Sequence, residues 1–480
     1  MTAASRAPKV AALGLVLLSG CGGGGRPNIL LIVVDTARAD RFSFAGYARP
    51  TSPEIAVLAS EGTIYERAYT PAPWTLPAHA SLFTGLLPSS HGADSGHLRL
   101  DEEFRTLAEC LHDAGYRTQG YAANPWVGRQ YGLAQGFDTY EEIWKEGRGG
   151  EEDAGAKALN ARVERFLEWR GDNPDARRQP FFIFINYLEP HLPYNPPEPS
   201  RSRFLPAGVD RAAVERLRQF KHPDEVRYVL GLGGPSLDDL SILSDLYDGE
   251  LSYVDGRVGD LARFLRERGL LDQTILVITS DHGEAIGDHG FLDHKMNVFE
   301  ELLRIPLVVR HPATVKAGRR IREPVMLQDL YPTLLALAHA SPRGVTPAAA
   351  SAPRDSFPLP GIEGLAGAPA RPARETGERV LVGEFARPIQ FLEIIQKRFP
   401  EATIGPWDRE LVAYHRGSEK LHWASDGRHR LYDLAADPGE TTDLAATRAD
   451  RVRELAAEVE SWLARPAARA PLRLPPRPAR

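Results

Sequence analysis

Two unbroken hydrophobic runs, each ending at an acidic residue, are the clearest pattern in this chain. One run, Asn28–Val34, is followed by Asp35, and the other, Thr274–Thr279, is followed after one serine by Asp281 and His282. Apolar runs rich in β-branched residues are typical of strands buried on both faces of a parallel sheet. Ligands of open α/β sheets collect at the carboxyl ends of the strands. We therefore expect these three polar residues to meet at one edge of a sheet.

Strand-like and helix-like segments alternate along most of the chain. Strands are predicted at residues 117–123, 180–187 and 305–309, and helices at 53–61, 106–114 and 240–268. This alternation favours a doubly wound α/β fold, a mostly parallel sheet flanked by helices. Residues 411–432 predict short strands joined by a turn, and residues 450–463 predict an amphipathic helix. A small C-terminal antiparallel sheet plus helix is therefore expected.

These patterns divide the chain into four predicted segments. They are a processing signal with a glycine-rich tether (1–26), a main domain (27–390), a C-terminal α+β subdomain (391–464) and a disordered tail (465–480). Within the main domain, residues 338–374 are rich in Pro, Ala and Gly and predict a long loop. Residues 378–385 predict a strand that could complete the large sheet.

The N-terminus has the pattern of a bacterial lipoprotein signal. Arg6 and Lys9 give the segment a positively charged start. Residues 10–18 then form an apolar stretch too short to span a bilayer as a mature helix. The Leu-Ser-Gly-Cys sequence that ends at Cys21 resembles a lipobox, whose cysteine is lipidated. We expect a protein of the bacterial cell envelope, bound to the membrane by this N-terminal lipid, on the periplasmic or the cell-surface side. The alternative is an ordinary secretory signal with an incidental cysteine.

Composition narrows the class of protein further. With 480 residues, 42% of them hydrophobic, the chain can bury a large core. Its net charge of −6 argues against a nucleic-acid partner. Its two cysteines are Cys21 and Cys110, so a lipidated Cys21 leaves no disulfide within the chain. Cys110 lies on the apolar face of a helix that begins with a Thr106–Glu109 capping box, and we expect it to be buried.

A third segment places a hydroxyl at the start of a helix. Residues 75–85 have the sequence T-L-P-A-H-A-S-L-F-T-G, in which Thr75 is a candidate N-cap and Pro77 suits the first turn. Free N–H groups at such a start favour an anionic ligand. The Thr75 hydroxyl could cap the helix, bind a metal or attack an electrophile. Together with the two acids and the histidine at the strand ends, it would form a site for zinc, calcium or magnesium.

Seven motifs in order resemble the sulfatase family of the alkaline phosphatase superfamily, over roughly residues 27–444. They are P-N-I-L-L-I-V-V-D from Pro27, L-P-A-H-A-S-L-F-T-G from Leu76, H-L-P-Y from His191, S-D-H-G-E from Ser280, G-D-H-G-F-L-D-H-K from Gly287, Q-D-L-Y-P-T-L-L from Gln328 and L-Y-D-L-A-A-D-P-G-E from Leu431. The resemblance implies the fold of that family, hydrolysis of an anionic ester substrate and a divalent metal ion.

Four positions depart from the family pattern. A typical sulfatase has Cys or Ser at the position of Thr75, where oxidation gives formylglycine, and Arg at the position of His79. Oxidised threonine would be a ketone and not an aldehyde, so a formylglycine mechanism is not expected. Thr36 replaces the second of two paired acids, and His282 replaces an Asn. The exchange of carboxylate for imidazole shifts the expected metal from calcium toward zinc, with manganese and magnesium as further candidates.

The chain is more similar to the superfamily branches with a Thr nucleophile, which include nucleotide phosphodiesterases and envelope phosphoethanolamine transferases. This resemblance implies a single set of metal ligands, namely Asp35, Thr75, Asp281 and His282. It also implies a set of catalytic groups around them, namely His191 and His294 as an outer pair for the leaving group or a second metal, and Lys295 and His79 as donors to the anion. Thr75 would attack phosphorus or sulfur and form a covalent ester.

The leading hypothesis is therefore metal-dependent hydrolysis of sulfuric or phosphoric esters. One alternative is a phosphoethanolamine- or phosphoglycerol-type transferase of the envelope, and another is a lipoprotein that keeps the fold only as a binding module. The sequence leaves open the natural substrate, the choice between sulfate and phosphate, the number of metals, the oligomeric state, and the roles of Arg38 and His289.

Overall fold

A computed structural model describes residues 26–146, 153–340, 355–363, 365 and 379–464. The strands in this part of the chain are β1 (Asn28–Val34), β2 (Thr63–Tyr65), β3 (Ala68–Tyr69), β4 (Arg117–Ala122), β5 (Thr139–Glu142), β6 (Phe181–Tyr187), β7 (Thr274–Thr279), β8 (Ala285–Ile286), β9 (Leu292–Asp293), β10 (Arg304–Ile305), β11 (Leu307–Arg310), β12 (Arg319–Ile321), β13 (Val325–Met326), β14 (Leu381–Phe385), β15 (Leu411–Arg416), β16 (Glu419–Ala424) and β17 (Arg430–Asp433).

Helices lie between many of these strands. They are α1 (Pro53–Ser60), α2 (Thr75–Thr84), α3 (Pro88–His91), α4 (Leu107–Asp113), α5 (Ala156–Asp172), α6 (Pro174–Arg178), α7 (Arg211–Leu217), α8 (His222–Val229), α9 (Leu237–Glu267), α10 (Glu300–Leu303), α11 (Leu330–Leu337), α12 (Ile389–Arg398) and α13 (Ala449–Leu463). None of the helices in the described ranges combines the length and the apolar character needed to cross a bilayer. The predicted signal with Cys21, the tail 465–480 and most of the predicted 338–374 loop lie outside these ranges.

The central sheet has eight strands in the order β12-β2-β11-β7-β1-β6-β4-β5. The five strands from β7 to β5 are parallel to their neighbours, and β11 is antiparallel to both β7 and β2. The prediction of a doubly wound, mostly parallel α/β sheet is therefore confirmed. The segment predicted as a strand at 305–309 contributes β11, the antiparallel member.

Both faces of the sheet are covered by helices, because alternate residues of each central strand point to opposite faces. From β1, Leu31 packs in one hydrophobic core with residues of α2, α4 and α11, and Leu30 packs in a second core with residues of α1, α5 and α9. Burial on both faces explains why β1, β6 and β7 are nearly continuous apolar runs.

The register of the central strands brings their carboxyl ends level with one another. Val33 in β1 pairs with both Asn186 in β6 and Thr279 in β7, and Asn186 also pairs with Ala122 in β4. The polar residues that follow or end these strands therefore gather at one edge of the sheet.

The C-terminal subdomain is built on a four-stranded antiparallel sheet in the order β14-β15-β16-β17. Leu455 and Val459 of α13 pack against Val412, Leu421 and Leu431 of this sheet. The predicted small sheet and helix are confirmed. The prediction that residues 378–385 complete the large sheet is wrong, because β14 pairs with β15 along its whole length. The boundary between residues 390 and 391 stays a prediction.

Candidate active site

Thr75 is the first residue of α2 and does not cap it. Trp74 is the N-cap, its carbonyl oxygen accepts from the Ala78 N–H at 3.4 Å, and its side chain makes no capping hydrogen bond. The predicted N-cap role of Thr75 is therefore wrong by one residue, since Thr75 already has helical geometry. Its hydroxyl is therefore not used to cap α2, and Thr75 Oγ1 lies 3.3 Å from His282 Nε2.

The two predicted acids lie beside His282, the residue that contacts this hydroxyl. Asp35 follows β1, Asp281 follows β7 by one residue, and both are completely buried. One ligand atom from each, with one from His282, lie within 4.8 Å of one another. Within the described chain, Asp35 Oδ1 and Asp281 Oδ2 have no hydrogen-bond partner. Buried carboxylate oxygens without partners are costly, and a cation would satisfy both.

Electrostatics support a cation at this place. Burial, and then the charge of Asp281, raise the pKa of Asp35 well above its ordinary value. Burial alone would also raise the pKa of Asp281, but His282 and His79 outweigh it and leave that pKa below its usual range. Two carboxylates, an imidazole and a hydroxyl form a donor set that suits zinc and other divalent ions. The residues present therefore fit a metal ion.

The backbone around Asp281 fixes the orientation of both Asp281 and His282. The N–H groups of Thr36 and His282 donate to Asp281 Oδ1 at 3.2 and 3.0 Å. Thr36 reaches this position with φ of 54°, a left-handed conformation that threonine rarely adopts. His282 Nδ1 lies 2.9 Å from the Gly283 carbonyl oxygen, which accepts its proton, so Nε2 is the ring nitrogen that faces Thr75 and Asp281.

Two asparagines that the sequence analysis missed hold Asp35. Nδ2 of Asn124 and Nδ2 of Asn186 donate to Asp35 Oδ2 at 2.8 and 3.0 Å. Asn124 Nδ2 also lies 3.5 Å from Thr75 Oγ1, so it contacts both the acid and the hydroxyl. A signal was present, because both asparagines stand at or just beyond the carboxyl end of a predicted strand, as Asp35 does.

His79 lies one helical turn after Thr75 and is fully buried. Its Nδ1 is 2.9 Å from the Thr75 carbonyl oxygen and 3.5 Å from Asp281 Oδ2, and its ring meets the edge of Phe184 at 5.9 Å. His79 thus contacts the protein groups that carry the hydroxyl and the acid. A direct contact with a bound anion stays a prediction.

The predicted outer pair of histidines lies beside His282. The ring of His294 is 4.4 Å from that of His282 and 5.0 Å from that of His191, measured between centroids. His191 Nδ1 lies 2.6 Å from the Leu192 carbonyl oxygen, which orients its ring. The structure therefore brings these three histidines together from two remote segments.

Two further missed acids orient His294. Its Nδ1 lies 3.1 Å from Glu284 Oε1 and 2.5 Å from Asp293 Oδ1, and all three residues are buried. Lys295 Nζ lies 3.4 Å from Asp293 Oδ2. Glu284, Asp293 and His294 also form a second group whose ligand atoms lie close enough together to hold a metal. Their short contacts with one another are those of a hydrogen-bonded carboxylate–imidazole network.

Arg38 and His289, whose roles the sequence left open, both contact other side chains of the protein. Arg38 forms salt bridges with Asp40 at 3.0 Å and with Asp288 at 2.6 Å. His289 stacks on Phe299 with ring centroids 3.7 Å apart. Both contacts tie down the loop that follows β8.

A buried group of candidate metal ligands with a hydroxyl beside it, at the carboxyl edge of a doubly wound sheet, has the arrangement of the active site of a metal-dependent α/β enzyme. A family model described as Sulfatase matches residues 27–340, and the chain belongs to the sulfatase family. Members of this family are ester hydrolases that use a divalent metal ion, and the cluster of Asp35, Asp281 and His282 provides candidate ligands for it here.

Relatives and solved structures agree with this assignment. The chain is 26% identical to the choline-sulfatase of Rhizobium meliloti over 88% of this chain and 83% of the relative. It is 25% identical to the arylsulfatase of Clostridium perfringens over 66% of this chain and 76% of the relative. Among solved structures, the phosphonate monoester hydrolase of Agrobacterium radiobacter superposes with a TM-score of 0.69 at 25% identity, covering 91% and 95% of the two chains.

Proposed function

We propose that this protein hydrolyses phosphoric or sulfuric esters with Thr75 as the nucleophile, at a divalent cation held by Asp35, Asp281 and His282. The observation that carries the proposal is the position of the Thr75 hydroxyl, 3.3 Å from His282 Nε2 and not engaged in capping α2. A buried hydroxyl in contact with an imidazole of the candidate metal cluster, and with the asparagine that holds Asp35, has the surroundings of an activated nucleophile.

Zinc is the favoured ion, because the cluster includes an imidazole among its donors. Calcium, manganese and magnesium remain candidates, since both carboxylates are hard oxygen ligands. A bound cation would supply positive charge that favours the deprotonated form of Thr75 and screens the approaching anion.

The side chains can then carry out two steps. Thr75 Oγ1 gives up its proton to solvent and attacks the phosphorus or sulfur atom, the bond to the leaving oxygen breaks, and that oxygen takes a proton from His191 or His294. Lys295 donates to the non-bridging oxygens, where negative charge is held. Water next gives a proton to the same histidine and attacks the same phosphorus or sulfur atom, the bond to Thr75 Oγ1 breaks, and this oxygen regains a proton from solvent.

We further propose that phosphorus is favoured over sulfur. A threonine ester of sulfate lacks the aldehyde hydrate whose second hydroxyl would expel the sulfate, so release must come from direct attack by water. Phosphoryl transfer through a covalent intermediate needs only positioning and charge stabilisation. The similar solved structure from Agrobacterium radiobacter is a phosphonate monoester hydrolase, whereas the similar sequences from Rhizobium meliloti and Clostridium perfringens are sulfatases. A test of the substrate must therefore include sulfate esters.

The test compares Thr75→Val with Thr84→Val, which removes a hydroxyl from the last turn of the same helix. Thr84 Oγ1 donates to the Ala80 carbonyl oxygen and takes no part in the cluster. We expect Thr75→Val to lower kcat by about 10³-fold or more, as loss of a nucleophile does, and Thr84→Val to leave kcat near the wild-type value.

The substrate panel decides the chemistry. Para-nitrophenyl phosphate, a phosphodiester, a phosphonate monoester and a sulfate are compared, and mass spectrometry of quenched reactions locates a covalent adduct on Thr75. Transfer to an added alcohol instead of water would indicate the transferase alternative. Full activity of Thr75→Val would refute the nucleophile, and a clear sulfate preference would refute the choice of phosphorus.

A further inference from the structure

A cleft of about 600 Å³ lies between the loop 289–299 and the C-terminal sheet. One side of this cleft is formed by the loop that also carries His294 and Lys295. The other side carries three arginines, Arg409, Arg428 and Arg430. We call it the basic cleft. It is separate from the cluster around Thr75, because none of the residues that line it belongs to that cluster.

Positive charge exceeds negative charge in the basic cleft. Asp426 is shared by Arg409 at 3.4 Å and Arg428 at 2.6 Å. Arg430 has no salt bridge to any carboxylate in the described ranges, and its guanidinium lies 5.9 Å from the centroid of the Phe299 ring. The acid that lines the cleft, Asp443, accepts the N–H groups of Leu431 and Ala445 at 3.1 and 2.9 Å.

The arginines also repel one another. The side chain of Arg409 is only 16% exposed. Burial, and beyond it the charges of Arg428 and Arg430, lower the pKa of Arg409 despite the attraction of Asp426. A bound anion would relieve this repulsion, because it adds the negative charge that the cleft lacks.

A neutral donor in the same cleft gives a second, independent indication. Asn297 lines the cleft and is only 3% exposed. Its Oδ1 accepts the Phe299 N–H at 3.2 Å, whereas its Nδ2 has no hydrogen-bond partner in the part of the chain that the structure describes. Buried donors are seldom left unpaired, so this one indicates a missing acceptor.

The histidines of the cleft do not provide that acceptor. His422 Nε2 is held by Glu440 Oε1 at 2.8 Å, and His289 stacks on Phe299. His429 Nδ1 accepts the Ala424 N–H at 3.1 Å. The groups that can donate to a ligand are therefore the guanidinium of Arg430, which also hydrogen-bonds Tyr432, the guanidinium of Arg409, with its 3.4 Å contact to Asp426, and the amide of Asn297.

We propose that the basic cleft binds a tetrahedral oxyanion, sulfate or phosphate in type, through Arg409, Arg430 and Asn297. Planar guanidinium groups match such oxyanions with paired hydrogen bonds. The anion is either free in solution or a second anionic group on a large substrate whose ester lies at Thr75. The site is independent of the proposed catalytic role of Thr75.

Calorimetric titration of the full chain with inorganic sulfate, and separately with phosphate, tests the proposal. Two variants are informative. One is the double variant Arg409→Gln/Arg430→Gln, and the other is Asn297→Asp, which keeps the shape of the side chain but replaces its N–H donor with a carboxylate. Arg453→Gln is the matched control, because Arg453 lies on α13 with its side chain 73% exposed and does not line the cleft. Thermal unfolding verifies that each variant is folded.

We expect wild type and Arg453→Gln to bind the anion equally, and the two cleft variants to lose one class of sites or at least about tenfold in affinity, since charge-assisted hydrogen bonds are lost. Thr75→Val should keep the binding to the cleft, so failure of the catalytic proposal would not affect this result. Equal anion binding by wild type and a folded Asn297→Asp would overturn the proposal.

Kinetics separate the two sources of the anion. If the ligand is a second group on the substrate, the cleft variants should raise KM for esters with two anionic groups and leave KM for a small monoester unchanged. If the ligand is a free anion, added sulfate should alter turnover of the small monoester in wild type beyond competition at the active site, and the cleft variants should show that competition alone.

Discussion

The cation cluster (Asp35, Asp281 and His282) and a second buried cluster under the C-terminal sheet differ in what balances their carboxylates. In the second, which we call the lysine cluster, Lys420 Nζ lies 3.0 Å from Glu300 Oε1 and 3.0 Å from Glu440 Oε1. Lys420 is completely buried. The lysine cluster thus contains its own cation, whereas the cation cluster leaves two carboxylate oxygens without a hydrogen-bond partner in the described ranges.

The pKa directions show the same difference. Burial alone would raise the pKa of Glu300, but Lys420 and His415 hold it below its ordinary value. Burial and a neighbouring acid instead raise the pKa of Asp35. A buried carboxylate that a lysine of the same protein neutralises contributes to the folded structure. A buried carboxylate without such a partner is available to bind an external cation.

The largest effect is expected from Asp281→Asn in the cation cluster. Loss of this ligand should remove the divalent ion and lower kcat/KM by about 10³-fold, since a Lewis acid contributes several kcal/mol to charge stabilisation. Elemental analysis of the purified protein and steady-state kinetics measure both. Asp272→Asn is the control, because the Asp272 side chain is 74% exposed.

The same variant sharpens the comparison through stability. After chelation, Asp281→Asn should unfold only slightly below chelated wild type, because loss of the contacts with His282 and His79 is largely offset by removal of a buried negative charge beside Asp35. Calorimetry in excess chelator measures it. A large drop in unfolding temperature would mean that Asp281 is chiefly structural, as the lysine cluster is.

Lys420→Met should have the opposite outcome. We expect it to lower the free energy of unfolding by about 3–5 kcal/mol, because it leaves buried carboxylates unpaired, while the folded fraction keeps its metal and its kcat. Urea unfolding measures the loss, and Lys397→Met on the exposed side of α12 serves as the control. If kcat falls as far as in Asp281→Asn, the contrast between the clusters is wrong.

The pH dependence of stability sharpens the comparison next. Burial lowers the pKa of His422 to about 4, against the pull of Glu440. As the pH falls, His422 therefore binds a proton in the unfolded chain near its ordinary pKa of about 6.5, and in the folded protein only near pH 4. The stability that this histidine contributes is full above about pH 6.5 and falls as the pH drops toward 4. Up to about 3 kcal/mol should be lost.

Unfolding in urea between pH 7 and pH 4.5 measures this loss, and His422→Gln should flatten the profile. The metal content at the cation cluster should not follow the same curve. An unchanged slope in His422→Gln would show that other groups cause the acid sensitivity.

The smallest effect is expected from Asn124→Ala beside the cation cluster. Loss of one hydrogen bond to Asp35 should weaken metal affinity or activity by about 10–100-fold, as loss of supporting contacts to metal ligands does. Competition with a chromophoric chelator measures the affinity. Asn173→Ala, between α5 and α6, should leave both unchanged, and equal behaviour of the two variants would remove Asn124 from the site.

The sequence by itself determined the large sheet, the acids at its carboxyl edge and the membership of the sulfatase family. Buried strands need apolar runs, and the acids must follow those runs, so both signals are local. The Thr106–Glu109 capping box and the burial of Cys110 are confirmed for the same reason. The lipidation of Cys21 stays a prediction, as do the catalytic roles of His191, His294 and Lys295.

Only the tertiary structure decided the contacts that make these residues a site. Whether Thr75 caps α2 or faces His282 depends on a helix start one residue earlier than expected, and on a residue 207 positions away in the chain. The support of Asp35 by Asn124 and Asn186, and the pairing of β14 with β15, likewise depend on strand order. Hydrophobic periodicity specifies which face of an element is buried, but the packing of the whole chain selects which remote side chains meet there.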